Sequence, residues 1–251
     1  MEAQVLSAVV LVAVAPFIGS FLGTVIRRLP EKRPLLLGRS ECEHCHRTLA
    51  WRDLVPVVSW LAARGRCRQC GAAIGAFYPA VELAATAVAL WSAATTPGWI
   101  AWAGAGLGWT LLALAWIDWR HYLLPDALTL PLGAAGLAVA WSIDPSRLLD
   151  CGIGVVAGYG GFAALAWLYR VVRKRSGLGG GDAKLLGALG AWVAWWGLPT
   201  VVLYAALSGL ALVLAQAARG QRIALGRRLP FGPHLCLGGW LVWIYGPLIP
   251  N

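Results

Sequence analysis

Eight apolar stretches partition this chain, at roughly 5–26, 79–96, 99–117, 123–142, 148–171, 184–197, 198–217 and 232–249. A helix needs ~20 such residues to cross the hydrocarbon of a bilayer, and shorter or tilted ones occur. Soluble domains do not carry so many. Here 59% of residues are hydrophobic and 13% are charged, against about half and about a quarter in soluble globular proteins. The expected fold is an all-α polytopic membrane protein with about eight transmembrane helices. The first stretch is too long for the apolar region of a signal peptide. It also lacks a basic n-region before it, and no cleavage site stands out, so residues 1–26 are expected to be a retained helix. The sixth and seventh stretches are separated only by Gly197, Leu198 and Pro199.

A net charge of +10 would suit nucleic acid or an anionic surface, but its distribution says otherwise. Basic residues crowd at Arg27, Arg28, Lys32 and Arg33, again from Arg170 to Arg175, and again from Arg219 to Arg228. Lysine and arginine beside apolar helices mark the cytoplasmic side. Residues 27–78 and the loops near 120, 175 and 225 are therefore expected in the cytoplasm. The opposite loops, near 97, 145 and 198, carry almost no positive charge except Arg147. The expected partner of this charge is the lipid bilayer, and no nucleic-acid partner is expected.

The one sizeable polar piece, 27–78, is too short to bury a good core unaided. It contains Cys42-x2-Cys45 and Cys67-x2-Cys70, the spacing of a tetrahedral four-cysteine zinc site. Thiolates also suit iron–sulfur clusters, but nothing else here suggests redox work. A disulfide reading conflicts with a reducing cytoplasm. A small zinc-binding cytoplasmic domain is expected, with His44 and His46 as exposed neighbours. Cys151 and Cys236 read as small buried hydrophobes.

Acids are few, and those near membrane helices are conspicuous. Asp118 closes the third stretch in LAWIDWRHYLLPDALTL, Asp126 follows Pro125, and Asp182 stands in GLGGGDAKLLGALG. The topology puts Asp118, Asp126 and Asp182 on one side of the membrane, so they can converge. Asp126 suits the positive end of a helix dipole, and Asp182 can be explained the same way. Asp118 cannot, because it sits at a helix C-terminus, where only Arg120 offers a dull neutralising explanation. Two carboxylates held together share a proton, so that one acts as base on water and the other as acid to a leaving nitrogen. Gly179 and Gly181 beside Asp182 would let a peptide backbone come close. A phosphate-binding loop is excluded, since GxxxxGK[ST] would need glycine at Ala183 and serine or threonine at Leu185.

The motifs GSFLGTVIRRLP (19–30), the two cysteine pairs, YPAVEL (78–83), IDWRHYLLPD (117–126), GGGDAKLLGALGAW (179–192) and FGPHLCLGGW (231–240) occur in one order. In that order they resemble the bacterial type IV prepilin peptidases, which are GxGD-type intramembrane aspartic proteases. The resemblance implies that Asp118 and Asp182 are the catalytic pair and that Pro125 and Asp126 are structural. It implies cleavage of prepilin or pseudopilin leaders after a glycine at the cytoplasmic face of the bacterial inner membrane. It further implies N-methylation of the new terminus with S-adenosylmethionine, an activity associated with the cysteine domain and the Glu82 region. The domains would be a first helix at 1–26, a zinc module at 27–78 and a peptidase bundle at 79–251. Lys184 has three readings: a headgroup anchor, a bias on the dyad's charge, or an ordinary interfacial lysine.

Three rivals stand beside this reading. A transporter with a zinc-regulated loop would use the acids as a proton relay, but would place them nearer the bilayer midplane. A non-catalytic platform for pilus assembly would not need the acids. A peptidase without methyl transfer would leave the processed pilin unmodified.

Overall fold

The computed structural model describes residues 2–35, 40–42, 44–174, 179–220 and 229–248. Its helices are α1 (Glu2–Arg28), the short α2 (Val58–Ala62), α3 (Phe77–Thr95), α4 (Trp99–His121), α5 (Asp126–Ile143), α6 (Leu148–Arg173), α7 (Gly180–Ala218) and α8 (Gly232–Tyr245). Single 3-10 turns lie at Trp51–Asp53 and Pro145–Arg147. Among the described residues extended pairing is limited to two isolated bridges, Glu41 with Thr48 and Arg66 with Ala73. The chain is an all-α, multi-pass membrane protein with a small four-cysteine module. It divides into two units, residues 1–113 and 114–251, with α4 running from the first into the second.

In the first unit α1 and α3 meet backbone to backbone. A Cβ added at Gly19 would lie 2.6 Å from the Glu82 Cα, and one at Gly23 would lie 2.7 Å from the Tyr78 ring. Small residues four apart let membrane helices approach this closely, because the apolar side chains gain nothing by leaving lipid. Leu11, Ala15, Ala89, Ala101 and Ala105 form the buried cluster beyond this contact. Polar ties run between the helices as well. The Trp109 indole donates to the Ala85 carbonyl at 2.9 Å, and the Trp102 indole to Ser7 Oγ at 2.9 Å.

The second unit is built around α7, which packs on α5, α6 and α8. Gly154 and Gly158 on α6 repeat the spacing seen on α1. A Cβ at Gly154 would lie 2.5 Å from the Gly190 carbonyl oxygen, and one at Gly158 would lie 2.6 Å from the Leu186 carbonyl oxygen. The Trp192 indole donates to the Leu132 carbonyl at 2.9 Å and so ties α7 to α5.

Among the described residues six helices are long and apolar enough to span a membrane. The 39 residues of α7 would run to ~58 Å if unbroken, about twice the hydrocarbon thickness. They do not run unbroken, for Ala194 leaves the helical region at φ 56°, ψ −179° and divides α7 into two apolar halves. With α8, only 14 residues long, this makes eight apolar helical segments among the described residues. The break lies earlier than Gly197 to Pro199, where the sequence pattern suggests it. Pro199 has no N–H for the carbonyl of Trp195, and the chain bends one residue ahead of that carbonyl.

Candidate active site and metal centre

Asp118 lies in the last turn of α4 and is 6% exposed. The carbonyl end of α4 offers a carboxylate nothing, so its support comes from another helix. The backbone N–H of Gly232, the first residue of α8, donates to Asp118 Oδ2 at 3.0 Å. Unpaired N–H groups at a helix N-terminus are natural partners for a buried carboxylate. The fit is tight, since a Cβ at position 232 would lie 2.6 Å from Oδ2. Arg120 is exposed, and the carboxylate's partner is Gly232.

Asp182 is the third residue of α7 and half-buried, and its own N–H bonds to the Gly179 carbonyl at 3.2 Å. It is close enough to Asp118 to feel that carboxylate's charge. The buried Cys236 on α8 feels both. The end of α4 and the start of α8 therefore meet at Asp118, with Asp182 at the start of α7 within range of its charge. All three lie within the second unit.

Lys184 has a definite partner. Its Nζ donates to Asp126 Oδ1 at 2.7 Å and to Oδ2 at 2.8 Å, linking the N-terminal ends of α7 and α5. Pro125 is the residue that caps α5 ahead of Asp126. Gly181 has a packing reason, because a Cβ there would lie 3.0 Å from the Leu124 Cβ. At Gly179 a Cβ would lie 3.3 Å from Asp182 Oδ2. Gly177, the first glycine of that stretch, lies outside the described residues. Sequence reasoning marked FGPHLCLGGW as a motif but gave Gly232 no role. The available signal was a glycine ahead of a proline at a helix start.

The four cysteines come together as two like turns. Cys42 N–H bonds to the Arg47 carbonyl and His46 N–H to the Cys42 carbonyl, both at 2.9 Å. Cys67 repeats this with Ala72 and Gly71, also at 2.9 Å. His46 and Gly71 hold matching positive-φ positions, at 55° and 69°. The N–H groups of Cys45 and His44 face the Cys42 sulfur and lower its thiol. Those of Cys70 and Gln69 do the same for Cys67, bringing it down to about 6. All four sulfurs lie within 4.8 Å of one another, and Cys42 and Cys70 are 3.9 Å apart. A zinc ion at ~2.3 Å from each sulfur needs edges of about 3.8 Å, so the set fits a tetrahedral zinc site. His44 and His46 are exposed. Cys151 and Cys236 are buried in α6 and α8 and are not members of the cluster.

Glu82, in the second turn of α3, is 5% exposed, and its Oε2 accepts the Val57 N–H at 2.7 Å.

Residues 13–96 match the family described as the bacterial peptidase A24 N-terminal domain, and residues 105–214 match the type IV leader peptidase family. The chain is similar to a prepilin leader peptidase/N-methyltransferase of Burkholderia pseudomallei, 46% identical over 221 residues, which cover 87% of this chain and 71% of that one. It is similar to proteins of the same name from Aeromonas salmonicida and Pseudomonas aeruginosa. Each is 37% identical, covering 92% of this chain and 88% of the relative. No solved structure matches the chain.

Proposed function

The chain belongs to the type IV leader peptidase family, and from that premise we propose that it cleaves the leaders of type IV prepilins or pseudopilins with Asp118 and Asp182. The observation that carries the reading is the buried Asp118, with the Gly232 N–H on its Oδ2 and Asp182 within range of its charge. Gly232 occupies one lone pair of Oδ2, which leaves Oδ1 the freer oxygen for proton transfer. Like charges this close favour one shared proton. The ionised carboxylate takes a proton from water, whose oxygen attacks the amide carbon after the leader's glycine. The protonated carboxyl gives its proton to the departing nitrogen as the C–N bond breaks. The pair ends with one proton between it, as it began.

The methylating activity in the relatives' names extends here to N-methylation of the new terminus, with S-adenosylmethionine as donor. The cysteines are assigned to a structural zinc ion, which a module as small as 27–78 needs for stability. The positive-inside pattern supports a cytoplasmic position for this module and for the dyad, in the bacterial inner membrane. Methyl transfer is assigned to the side of the chain bearing 27–78, and peptide cleavage to the bundle within 79–251. The transporter reading is disfavoured, since its acids belong near the bilayer midplane, whereas Asp118 and Asp182 lie in a last and a first helical turn.

Cleavage of a prepilin in detergent, followed by intact mass, tests the proposal. The parent removes the leader and adds a methyl mass, while Asp118→Asn and Asp182→Asn leave the leader in place at equal folded amounts. Cleavage surviving in both variants would refute the dyad. Cleavage without the methyl mass would refute methylation alone.

A further inference from the structure

No side chain caps the N-terminus of α8, where the residue ahead of the helix is Phe231. An uncapped first turn is prone to fray. In this helix the first turn has a task, because the Gly232 N–H is the group that meets Asp118 Oδ2. Its surroundings hold it loosely. The N–H groups of His234 and Leu235 share the Phe231 carbonyl, each at 3.1 Å. The Phe231 ring leans on Phe162 of α6, with centroids 6.3 Å apart. Further along α8, Gly238 lies against the Val201 carbonyl and Gly239 against the Leu189 side chain. Apolar contacts of this kind set how closely helices approach. They have no direction, so they do not fix the rotation of a first turn, whereas a hydrogen bond does.

A directional tie runs from α8 to the second half of α7. His234, the third residue of α8, has its Nδ1 3.0 Å from Ser208 Oγ. Ser208 Oγ is also 3.0 Å from the Ala205 carbonyl. A hydroxyl has one proton and a carbonyl can only accept. Both bonds therefore form together only if Ser208 donates to Ala205 and the ring donates from Nδ1. This fixes the tautomer, with the proton on Nδ1 and a bare lone pair at Nε2. That Nε2 is buried and has no partner among the described residues. An unanswered buried acceptor costs at least what one neutral hydrogen bond returns. The pair thus adds little to stability, and what it supplies is direction.

We propose that Ser208 and His234 set the rotation of the first turn of α8, so that the Gly232 N–H is aimed at Asp118. His234 is a positioning residue for leader cleavage, acting through Gly232, and this role rests on the dyad reading above. The two residues lie in the same helical turn, so rotation at 234 swings the N–H at 232 off the line to Oδ2. Hydrogen bonds weaken steeply when bent. Losing the tie therefore deprives the carboxylate of its donor without altering either aspartate. The tie adds nothing to substrate affinity, so its loss falls on kcat.

Steady-state cleavage of a prepilin by the purified full chain tests this, with His234→Leu, Ser208→Ala and His234→Asn as variants. His234→Leu and Ser208→Ala should each lower kcat about tenfold, with KM within about twofold of the parent. The double variant should lose no more than either alone, since one bond is broken. His234→Asn, whose amide donates from the place of Nδ1, should return kcat to within about threefold of the parent. Thermal unfolding separates placement from stability. The midpoint should hold in His234→Leu, which also removes the unanswered nitrogen, and fall in Ser208→Ala, which strands the Nδ1 proton. Hydrogen exchange in His234→Leu should quicken at peptides spanning 229–236 and stay at parental rates in the rest of the bundle. Parental kcat in both donor and acceptor variants, equal losses in His234→Asn and His234→Leu, or unchanged exchange at 229–236 would overturn the positioning role while Asp118→Asn still abolishes cleavage. A parent and an Asp118→Asn variant that cleave alike would overturn the dyad reading and this proposal with it.

Discussion

Gly232→Ala should disable cleavage while leaving the fold nearly unchanged. The new Cβ would lie 2.6 Å from Asp118 Oδ2, where a carbon–oxygen contact normally needs ~3.3 Å, so the carboxylate must retreat by about 0.7 Å. A misplacement approaching 1 Å in a catalytic group costs roughly 10²-fold in rate. The retreat also stretches the 3.0 Å bond from the Gly232 N–H. A hydrogen bond to a charged group contributes about 1.5–3 kcal/mol, which again corresponds to roughly 10- to 150-fold. Both routes predict a kcat lower by about one to two orders of magnitude with KM little altered, since the carboxylate acts on the reacting atoms. The clashing atom is the tip of a side chain that can rotate, so the thermal midpoint should stay near the parent's. Gly238→Ala is the contrast: its Cβ would lie 2.5 Å from the Val201 carbonyl oxygen, and backbone cannot rotate away. That variant should lose stability by about 1–3 kcal/mol without a specific loss of kcat. Single-turnover leader cleavage by intact mass, beside thermal unfolding in detergent, separates the two. A Gly232→Ala protein cleaving within about threefold of the parent would refute the role given to α8.

The pair of Lys184 and Asp126 is half-exposed, so breaking it with Lys184→Met should cost about 1 kcal/mol or less. The exchange Lys184→Asp with Asp126→Lys should restore part of any lost cleavage, and failure of every exchange to do so would remove the pair as a tie between α5 and α7. Cys67→Ser should take zinc from about one per chain to well below that and expose 27–78 to protease, whereas an unchanged metal content would remove the zinc assignment. Gly158→Ala should lower the thermal midpoint, because its Cβ would lie 2.6 Å from the Leu186 carbonyl oxygen. A midpoint equal to the parent's would show that α6 and α7 are not packed this closely.

Much of this protein is legible along the chain. Apolar length marks the membrane helices, since lipid tolerates only backbone that satisfies itself within each segment. The spacing of Cys42, Cys45, Cys67 and Cys70 marks a metal cluster, because each ligand pair is local. The dipole argument singled out Asp118 as the acid its own helix could not excuse. The partners of these residues could not be read in the same way. Gly232 stands 114 residues from the carboxylate it bonds, and Asp126 stands 58 from Lys184. Glu82 reads as one more acid on a helix until folding buries it beside Val57. Pro199 signals a break in α7, but its place at Ala194, five residues earlier, is not marked by the residue itself, for alanine is the best of helix formers. The sequence by itself determined which segments are apolar enough to enter the membrane and which side chains are candidates for the chemistry, because length, charge and ligand spacing act locally. Only the tertiary structure decided which backbone group faces each carboxylate and where helices touch, because those contacts join residues whose separation along the chain carries no periodic signature.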